Sequence, residues 1–510
     1  MLSKVNSIAL YGLNGYLVEV QVDISTGMPY WDVVGLPDIS VKEAKERVKT
    51  AIKNSGYEFI SRKIVVNLSP ADLKKEGTHF DLPIAIGILH SLGKIVQIDS
   101  NIAFIGELSL DGSINKINGV LPMCLEAKRL GITKIILPKE NAKEGTIING
   151  LEVLGANNIK EVVDFLNGKV ALQIEQNTSL DLFEKNVEYN INFADVKGQE
   201  NVKRALEISA AGGHNCIMIG PPGAGKTMLA QRLPTILPDL NFDEALEITK
   251  IYSVAGVLPK ESPIITTRQF RAPHHTITPA SLIGGGIFPK PGEISLAHFG
   301  VLFLDEMQQF SKSTLDLLRG PLEDGKITIN RMNYSLTYPS KFMLIASINP
   351  CPCGYYGSKE KECICSKKAI SNYISRISGP LLDRIDIQVE VSPVKYLKLQ
   401  SNKKIETSEQ IKSRVNIARK IQQERYKEHK IFSNAELNSK LITKYCKLDA
   451  SCEQIMQSAF ERLGLSARAY SRILKVARTI ADLEESENIQ NNHLLEAIQY
   501  ISLDRKYWRR

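Results

Sequence analysis

The sequence lacks the two features that would direct a protein into or across a membrane. No run of 18 apolar residues occurs in the 510 residues, so we expect no membrane-spanning helix. The first residues, MLSKVNSI, contain no apolar stretch of the kind found in a signal peptide, so we expect no secretion. These absences favour a cytoplasmic protein without a membrane partner.

The sequence also lacks a strong excess of charge of one sign. It carries 64 basic and 56 acidic residues, and the net charge of +8 permits nucleic acid as a partner without requiring it. A disulfide-type cysteine pattern is missing as well, because four of the eight cysteines crowd between Cys351 and Cys365. In an unsecreted chain such clustering indicates metal binding or free thiols.

The length of the chain predicts about three domains, and its first third has the pattern of an α/β domain. Apolar residues alternate with polar ones over residues 17–24, which predicts a strand with one buried face. A capping box at Ser40 and Glu43 predicts the start of a helix that ends at Gly56. We expect this domain to span residues 1–170 and a polar linker to follow at 171–192.

Part of this first domain resembles the proteolytic domain of Lon-type proteases, which has the ribosomal S5 domain 2-like fold. The resemblance rests on residues 105–112 (IGELSLDG) and 135–138 (IILP). Such proteases use a serine that a lysine activates. The alignment places His79 at the serine position and Leu121 at the lysine position. The resemblance therefore implies the fold without peptidase activity, and a scaffolding or DNA-contacting role.

A complete phosphate-binding loop motif, G-x-x-x-x-G-K-[ST], lies in the middle of the chain. An apolar strand at 216–219 precedes it and a helix without breakers follows, which is the context that the motif needs. Glycines allow successive backbone N–H groups to point at phosphate oxygens, so we expect the loop to bind ATP. The expected nucleotide-binding residues are Gly220, Pro221, Pro222, Gly223, Ala224, Gly225, Lys226 and Thr227.

An acidic pair follows a second apolar strand. Residues 301–304 are typical of a parallel strand buried on both faces, and Asp305 and Glu306 come directly after it, where open α/β sheets bind ligands. We expect Lys226 to reach the β- and γ-phosphates, and Thr227 and Asp305 to hold Mg²⁺. Glu306 is the expected general base that polarises the attacking water.

A third strand and two arginines complete a recognisable order of motifs. The strand at 342–347 delivers Asn349 beside the same site, where its amide can orient the water. Arg384 and Arg468 follow, and arginines stabilise the charge of a transferring phosphoryl group, including from a neighbouring subunit. This order resembles that of AAA+ ATPases, which implies a P-loop core at 193–395 and a C-terminal α-helical lid at 396–510.

Two insertions narrow the resemblance. Residues 279–298 interrupt the helix expected before the acidic pair, and residues 318–326 lead into an alternating hairpin. This combination resembles the magnesium-chelatase I subunit. With residues 271–276 (RAPHHT) and 349–355 (NPCPCGY) included, the chain resembles the ComM/YifB family nearly end to end. That resemblance implies a hexameric ATPase that acts on single-stranded and branched DNA as a branch-migration helicase during natural transformation.

The cysteine cluster has three possible roles. Cys351, Cys353, Cys363 and Cys365 can surround a tetrahedral Zn²⁺ as a closed structural site, which would brace the loop that carries Asn349. The C-x-C spacing is weaker than C-x-x-C, so reduced thiols and a redox switch remain open. The adjacent His274 and His275 could also suggest a metal site. Neighbouring residues rarely share a face of a regular element, however, and no carboxylate lies at helical spacing from them, which favours hydrogen-bonded core histidines.

Two readings of the function remain open from the sequence. The first is a hexameric ring motor on DNA, with Lys290, Arg331 and Lys341 of the insertions as pore residues and a basic helix starting at Thr407 as a further DNA contact or a solvated face. The second is a chelatase-like or chaperone-like ATPase that remodels a protein partner. Both use ATP and Mg²⁺.

Overall fold

The computed structural model describes residues 2–60, 62–176, 189–259, 262–286, 289–331, 334–357, 361–394, 405–429, 431–501 and 503. The chain forms two compact units. Unit 1 consists of residues 1–186 and Phe242–Thr266, and unit 2 consists of residues 187–241 and Thr267–Arg510. The predicted linker lies largely outside the described residues, and the predicted domain boundaries stay predictions.

Both units contain β-strands, and the two longest belong to unit 1. They are β1 Leu2–Tyr11, β2 Asn14–Ser25, β3 Tyr30–Val34, β4 Lys63–Ser69, β5 Ile102–Phe104, β6 Glu107–Leu108, β7 Ile114–Asn115, β8 Lys134–Pro138, β9 Glu152–Ala156, β10 Cys216–Ile219, β11 Phe270–Arg271, β12 Gly284–Gly285, β13 Lys290–Pro291, β14 Val301–Leu304, β15 Lys326–Arg331, β16 Tyr334–Pro339, β17 Met343–Ile348 and β18 Ile387–Glu390.

The α-helices cover the sheets and make up most of the C-terminal region. They are α1 Ile39–Asn54, α2 Asp81–Ser91, α3 Val120–Arg129, α4 Ala142–Gly145, α5 Ile159–Leu166, α6 Glu200–Gly212, α7 Lys226–Arg232, α8 Phe242–Ala255, α9 Pro279–Ile283, α10 Glu293–Leu296, α11 Lys312–Asp316, α12 Arg319–Asp324, α13 Lys367–Ile374, α14 Gly379–Leu382, α15 Ser408–Arg425, α16 Ser439–Tyr445, α17 Ala450–Leu463, α18 Ala467–Leu483 and α19 Asn491–Gln499.

A seven-stranded mixed sheet forms the centre of unit 1, in the order β3-β4-β2-β1-β5-β8-β9. β2 pairs antiparallel with β1 and β4, whereas β5, β8 and β9 continue the sheet in parallel. Val18, Val20, Val22 and Ile24 of β2 are buried, as the alternating pattern predicts. The α/β fold class predicted for this domain is confirmed.

The first helix begins earlier than the sequence predicts. Asp38 is its N-cap and accepts a hydrogen bond from the backbone N–H of Val41, while the Ser40 hydroxyl donates to Asp38. The predicted capping box at Ser40 and Glu43 is therefore wrong. A carboxylate at the N-cap both accepts from the first turn and interacts favourably with the helix dipole, so Asp38 takes the position.

A helix from the middle of the chain completes unit 1. α8 packs beside α3, and the backbone N–H of Gly119 donates to the carbonyl oxygen of Ser253 at 3.1 Å. The Ser253 hydroxyl donates to the buried Glu144 carboxylate, which also accepts from the backbone N–H of Leu121 at 2.9 Å. Residues 242–266 are thus held to unit 1 by hydrogen bonds next to Leu121, the residue at the position that the Lon resemblance assigns to the lysine.

We expect Glu144→Ala to loosen α8, because it leaves the donors of Ser253, Leu121 and Asn141 buried without an acceptor. Hydrogen bonds to a charged group contribute about 1.5–3 kcal/mol, so amide hydrogen exchange in α8 should accelerate by about tenfold or more. Mass spectrometry of the full chain measures this exchange. The exposed Glu140 provides the matched control as Glu140→Ala. Equal protection of α8 in both variants contradicts the anchoring role.

Five parallel strands form the sheet of unit 2, in the order β11-β14-β17-β10-β18. The adjacent strands β14, β17 and β10 are buried along their whole length. Because all five strands run in the same direction, the loops after β14, β17 and β10 leave the sheet at the same edge. This arrangement confirms the predicted P-loop fold class of the core.

The two insertions fold into hairpins that contact each other. β12 pairs with β13, and β15 pairs with β16, both antiparallel. The Tyr338 hydroxyl of the second hairpin donates to the carbonyl oxygen of Pro289 in the first at 2.7 Å. Lys290 and Arg331 lie on these hairpins, and the neighbouring residues 287–288 and 332–333 are outside the described part. Lys341 instead lies beyond β16 and pairs with Glu436 at 3.5 Å.

The C-terminal part of the chain is helical, as predicted. Thr407 and Gln410 form the predicted capping box of α15. Much of the basic face of α15 binds groups of the same unit: its ion-pair partners are Asp239, Glu207, Glu406 and Asp482. These pairs reduce the charge available to DNA on this face. Over the described ranges, no helix is both long and apolar enough to cross a membrane.

Candidate active site

The phosphate-binding loop connects β10 to α7, and glycine is required at several of its positions. A Cβ atom at Gly220 would lie 2.2 Å from the carbonyl oxygen of Val391 on the neighbouring chain segment, so no side chain fits there. Gly223 and Gly225 have φ values of 76° and 88°, in the left-handed region that favours glycine. The loop therefore curls tightly in front of the helix start.

Lys226 is buried at the centre of this loop. Its Nζ donates to the carbonyl oxygens of Gly220 at 2.7 Å and Pro221 at 2.9 Å, and to Asn349 Oδ1 at 3.0 Å. Burial lowers the pKa of Lys226, and the nearby acidic pair opposes that shift. Phosphate oxygens are better hydrogen-bond partners for an ammonium group than carbonyl oxygens are. We therefore expect Lys226 to exchange its carbonyl partners for the phosphates of a bound nucleotide.

The hydroxyl and carboxylate groups expected at a magnesium site are brought together. Thr227 Oγ1 donates to Asp305 Oδ2 at 2.8 Å, and Ser347 Oγ donates to Asp305 Oδ1 at 2.5 Å. Mg²⁺ prefers oxygen ligands of this kind, so these residues fit a bound Mg²⁺ ion. The sequence interpretation missed Ser347; the available signal was a hydroxyl residue in an otherwise apolar strand beside β14.

Glu306 directly follows the buried strand β14 and has an unusual backbone. Its φ is 49°, in the left-handed region that non-glycine residues rarely adopt. Its backbone N–H donates to Ser347 Oγ at 3.0 Å, which fixes the turn, and its side chain is exposed. The carboxylate is thus free to meet a water molecule at the edge of the pocket.

A tyrosine that the sequence interpretation did not single out lies beside these groups. The hydroxyl of Tyr373, on α13, accepts a hydrogen bond from Gln308 Nε2 at 2.6 Å. Burial raises the pKa of Tyr373, hydrogen bonds from Gln308 and Asn349 lower it, and the carboxylate of Glu306 raises it. Tyr373 therefore stands between the water-orienting amide and the segment that follows the acidic pair.

The two predicted arginines do not join the pocket within one chain. Arg384 forms an ion pair with Glu323 and donates to the carbonyl oxygen of Pro380 at 2.7 Å. Arg468 is mostly exposed and pairs with Asp383 at 3.4 Å. Both therefore bind partners other than the phosphate-binding loop, and their predicted catalytic roles remain predictions.

The four cysteines are close enough to share a metal ion. Their Sγ atoms lie within 4.8 Å of one another, and the separations from Cys351 to Cys353 and Cys363 are 3.3 and 3.7 Å. Zn–S bonds of about 2.3 Å in a tetrahedron place sulfur atoms about 3.8 Å apart. All four are free thiols rather than disulfides. The donor set and its geometry fit a closed Zn²⁺ site.

The histidines behave differently from one another. His79, at the serine position of the Lon resemblance, is buried; burial lowers its pKa to about 4, so its imidazole is neutral at pH 7. Leu121 is fully buried.

His274 is exposed, and its Nδ1 is hydrogen-bonded to the hydroxyl of Thr276 at 2.8 Å, so the core location predicted for it is wrong. Its ring packs against that of His275 in a tilted arrangement, with the ring centroids 4.1 Å apart.

Three family matches cover most of the chain. They are "Subunit ChlI of Mg-chelatase" over residues 20–141, "Magnesium chelatase, subunit ChlI" over residues 192–399 and "Magnesium chelatase, subunit ChlI C-terminal" over residues 405–501. Together with the parallel sheet and the phosphate-binding loop, these matches define a magnesium-chelatase-type AAA+ protein.

Relatives that match along nearly their whole length identify the family within this class of protein. YifB of Escherichia coli is 43% identical over 508 residues, covering 99% of this chain and 98% of YifB, and the competence protein ComM of Haemophilus influenzae is 42% identical over 515 residues with the same coverage. The chain belongs to the ComM/YifB family. Lon protease 2 of Bacillus subtilis is 30% identical over 178 residues, covering 31% of this chain and 32% of that protease.

Two substitutions should separate binding from hydrolysis. Glu306→Gln removes the expected general base, so ATP turnover should fall about 10²–10⁴-fold while nucleotide binding persists. Lys226→Ala removes the phosphate contact and should weaken binding itself. A fluorescent nucleotide measures affinity, and phosphate release measures turnover. The exposed Glu424 of α15 supplies the isosteric control Glu424→Gln. A fall in turnover shared by this control contradicts the assignment.

Proposed function

We propose that this protein is a Mg²⁺-dependent ATPase that assembles as a homohexameric ring on DNA and drives branch migration, promoting the integration of incoming DNA during recombination or transformation. The observation that carries the proposal is the closed set of contacts joining Lys226 to Asn349 and Thr227 to Asp305. The name of the Haemophilus relative, a competence protein, supports the link to DNA uptake. The cytoplasm is the compartment in which such a motor works.

In this proposal the chain positions ATP and a water molecule. Lys226 binds the β- and γ-phosphates, and Thr227 and Asp305 hold Mg²⁺, which neutralises the charge of the phosphate oxygens. Glu306 accepts the proton of the water whose oxygen attacks the γ-phosphorus, and Asn349 orients that water. The bond between the γ-phosphorus and the β–γ bridging oxygen breaks, releasing ADP and inorganic phosphate.

Arg384 and Arg468 act on the nucleotide across the ring in this proposal. Both arginines form ion pairs with carboxylates of the same unit, Arg384 with Glu323 and Arg468 with Asp383. Exchange of a carboxylate partner for the phosphates of an adjoining subunit balances the charge that develops during phosphoryl transfer. Hydrolysis then depends on assembly, as a ring motor requires.

The paired hairpins supply the DNA contacts. Because Tyr338 ties the first hairpin to the second, Lys290 and Arg331 lie on one joined element of the ring. Their cations bind backbone phosphates, so binding should weaken steeply with salt. In addition to ATP and Mg²⁺, the protein binds a structural Zn²⁺ through the four cysteines.

A second function from another class uses the same pocket. In this reading, the ATPase remodels a protein partner, as a chelatase-like or chaperone-like motor would. It is favoured by the three family matches, all of which are to magnesium-chelatase subunits. It predicts ATP turnover that does not respond to DNA.

A fluorescent three-way or four-way junction tests the DNA proposal. We expect strand exchange that requires ATP and is lost in Glu306→Gln. The double variant Lys290→Ala/Arg331→Ala should slow exchange by about tenfold or more and lower the salt dependence of binding by about two phosphate contacts. Lys341→Ala, whose lysine pairs with Glu436, is the matched control. No exchange by the wild type, with turnover indifferent to the junction, favours protein remodelling.

A further inference from the structure

The four-cysteine cluster lies between two side chains of the hydrolysis site along the chain. Asn349 precedes Cys351 by two residues, and α13, which carries Tyr373, begins at Lys367 just after Cys365. The described residues of the intervening segment, 350–357 and 361–366, form neither helix nor strand. The geometry of this loop therefore depends on cross-links rather than on backbone hydrogen-bond ladders.

The end of α13 is fixed to the segment that follows the acidic pair. Gln308, which is 1% exposed, donates to the hydroxyl of Tyr373 at 2.6 Å, and Arg376 donates to the carbonyl oxygen of Gln308 at 3.2 Å. Asn349 lies close enough to Tyr373 for its amide to lower the pKa of the tyrosine hydroxyl. Tyr373 is thus hydrogen-bonded to the segment that follows Glu306 and lies near the expected water-orienting residue.

The loop also touches the phosphate-binding loop. Gly354 has a φ of 84°, and its backbone N–H donates to the carbonyl oxygen of Cys351 at 2.9 Å. A Cβ atom at Gly354 would lie 2.4 Å from Cδ of Pro222. The cysteine loop is therefore packed directly on the loop that binds the nucleotide.

We propose that Zn²⁺ bound by Cys351, Cys353, Cys363 and Cys365 sets the position of Asn349 and Tyr373, so that metal occupancy controls the rate of ATP hydrolysis rather than nucleotide affinity. This inference rests on the ATPase activity proposed above. Tyr373 is a positioning residue in it, because it acts through Asn349 and Gln308. The metal has no open coordination position and takes no part in the phosphoryl transfer.

The separation of rate from affinity follows from where each group is held. Lys226 keeps its contacts with the carbonyl oxygens of Gly220 and Pro221, which arise within the phosphate-binding loop itself, even when its contact with Asn349 is weakened. Asn349 and Tyr373, by contrast, flank the cysteine loop and depend on its shape. Small displacements of a water-orienting group reduce the rate of reaction steeply, because the attacking oxygen must be aligned with the phosphorus.

The test compares three forms of the full-length protein: as purified, stripped of metal with a thiol reagent and chelator, and the Cys353→Ser/Cys363→Ser double variant. We expect one Zn per chain by mass spectrometry in the first form and none in the other two. Turnover should fall at least tenfold without metal, while affinity for a fluorescent nucleotide changes by less than about threefold. Added Zn²⁺ should restore the stripped protein but not the cysteine variant.

Tyr373→Phe isolates the positioning role. We expect it to keep one Zn per chain and wild-type nucleotide affinity, and to lower kcat about tenfold with little change in KM, since only the alignment of Asn349 and Gln308 is lost. Amide exchange at residues 306–309 should accelerate both in this variant and in the stripped protein. Tyr470→Phe, on the surface of α18, should match the wild type in all of these measurements.

Several outcomes overturn the inference. They are wild-type protein without zinc, metal-free protein that hydrolyses ATP at the full rate, and parallel losses of affinity and rate, which indicate general unfolding of the pocket. An unchanged kcat in Tyr373→Phe removes the positioning role. A different failure concerns the proposed function: wild-type protein that binds zinc and nucleotide but turns over no ATP with DNA present contradicts the ATPase itself.

Discussion

The hydrogen bond between Lys226 and Asn349 joins the two halves of the nucleotide site, and the order of strands makes it possible. β17 lies between β14 and β10, so the acidic pair, the amide and the phosphate-binding loop leave the sheet side by side. A different strand order would separate these side chains however well the motifs were preserved. Ser347, at the end of the same central strand, links the amide side of the pocket to Asp305.

In unit 1, the position that the Lon resemblance assigns to a lysine takes part in a structural contact. Leu121 lies at that position, and its backbone N–H donates to Glu144. That buried carboxylate also binds Ser253 of α8, a helix that follows the phosphate-binding loop in the chain. The polypeptide therefore passes from unit 2 into unit 1 at residue 242 and returns to unit 2 at residue 267.

Much of the fold could be predicted because its signals are local. The phosphate-binding loop, the apolar strands and the capping box at Thr407 depend on neighbouring residues, and all three are present as predicted. The start of α1 was misjudged because Asp38 and Ser40 are both good caps and only the fold selects between them.

The missed parts of the site depend on contacts between distant segments. Ser347 and Tyr373 gain their roles only when β17 lies beside β14 and α13 folds back onto Gln308. The membership of α8 in unit 1 has the same origin, since its partners are more than a hundred residues away. Periodicity describes which face of an element is buried, but not which partner covers it.

The central claim is that the pocket of one subunit is completed by the arginine of another. It is tested most directly by mixing two variants. Lys226→Ala chains keep Arg384 but bind ATP poorly, whereas Arg384→Ala chains keep the intact phosphate-binding loop. The account predicts that neither variant hydrolyses ATP at an appreciable rate alone and that the mixture recovers a substantial part of wild-type turnover. Full activity of Arg384→Ala alone, or no recovery in mixed assemblies, would contradict it.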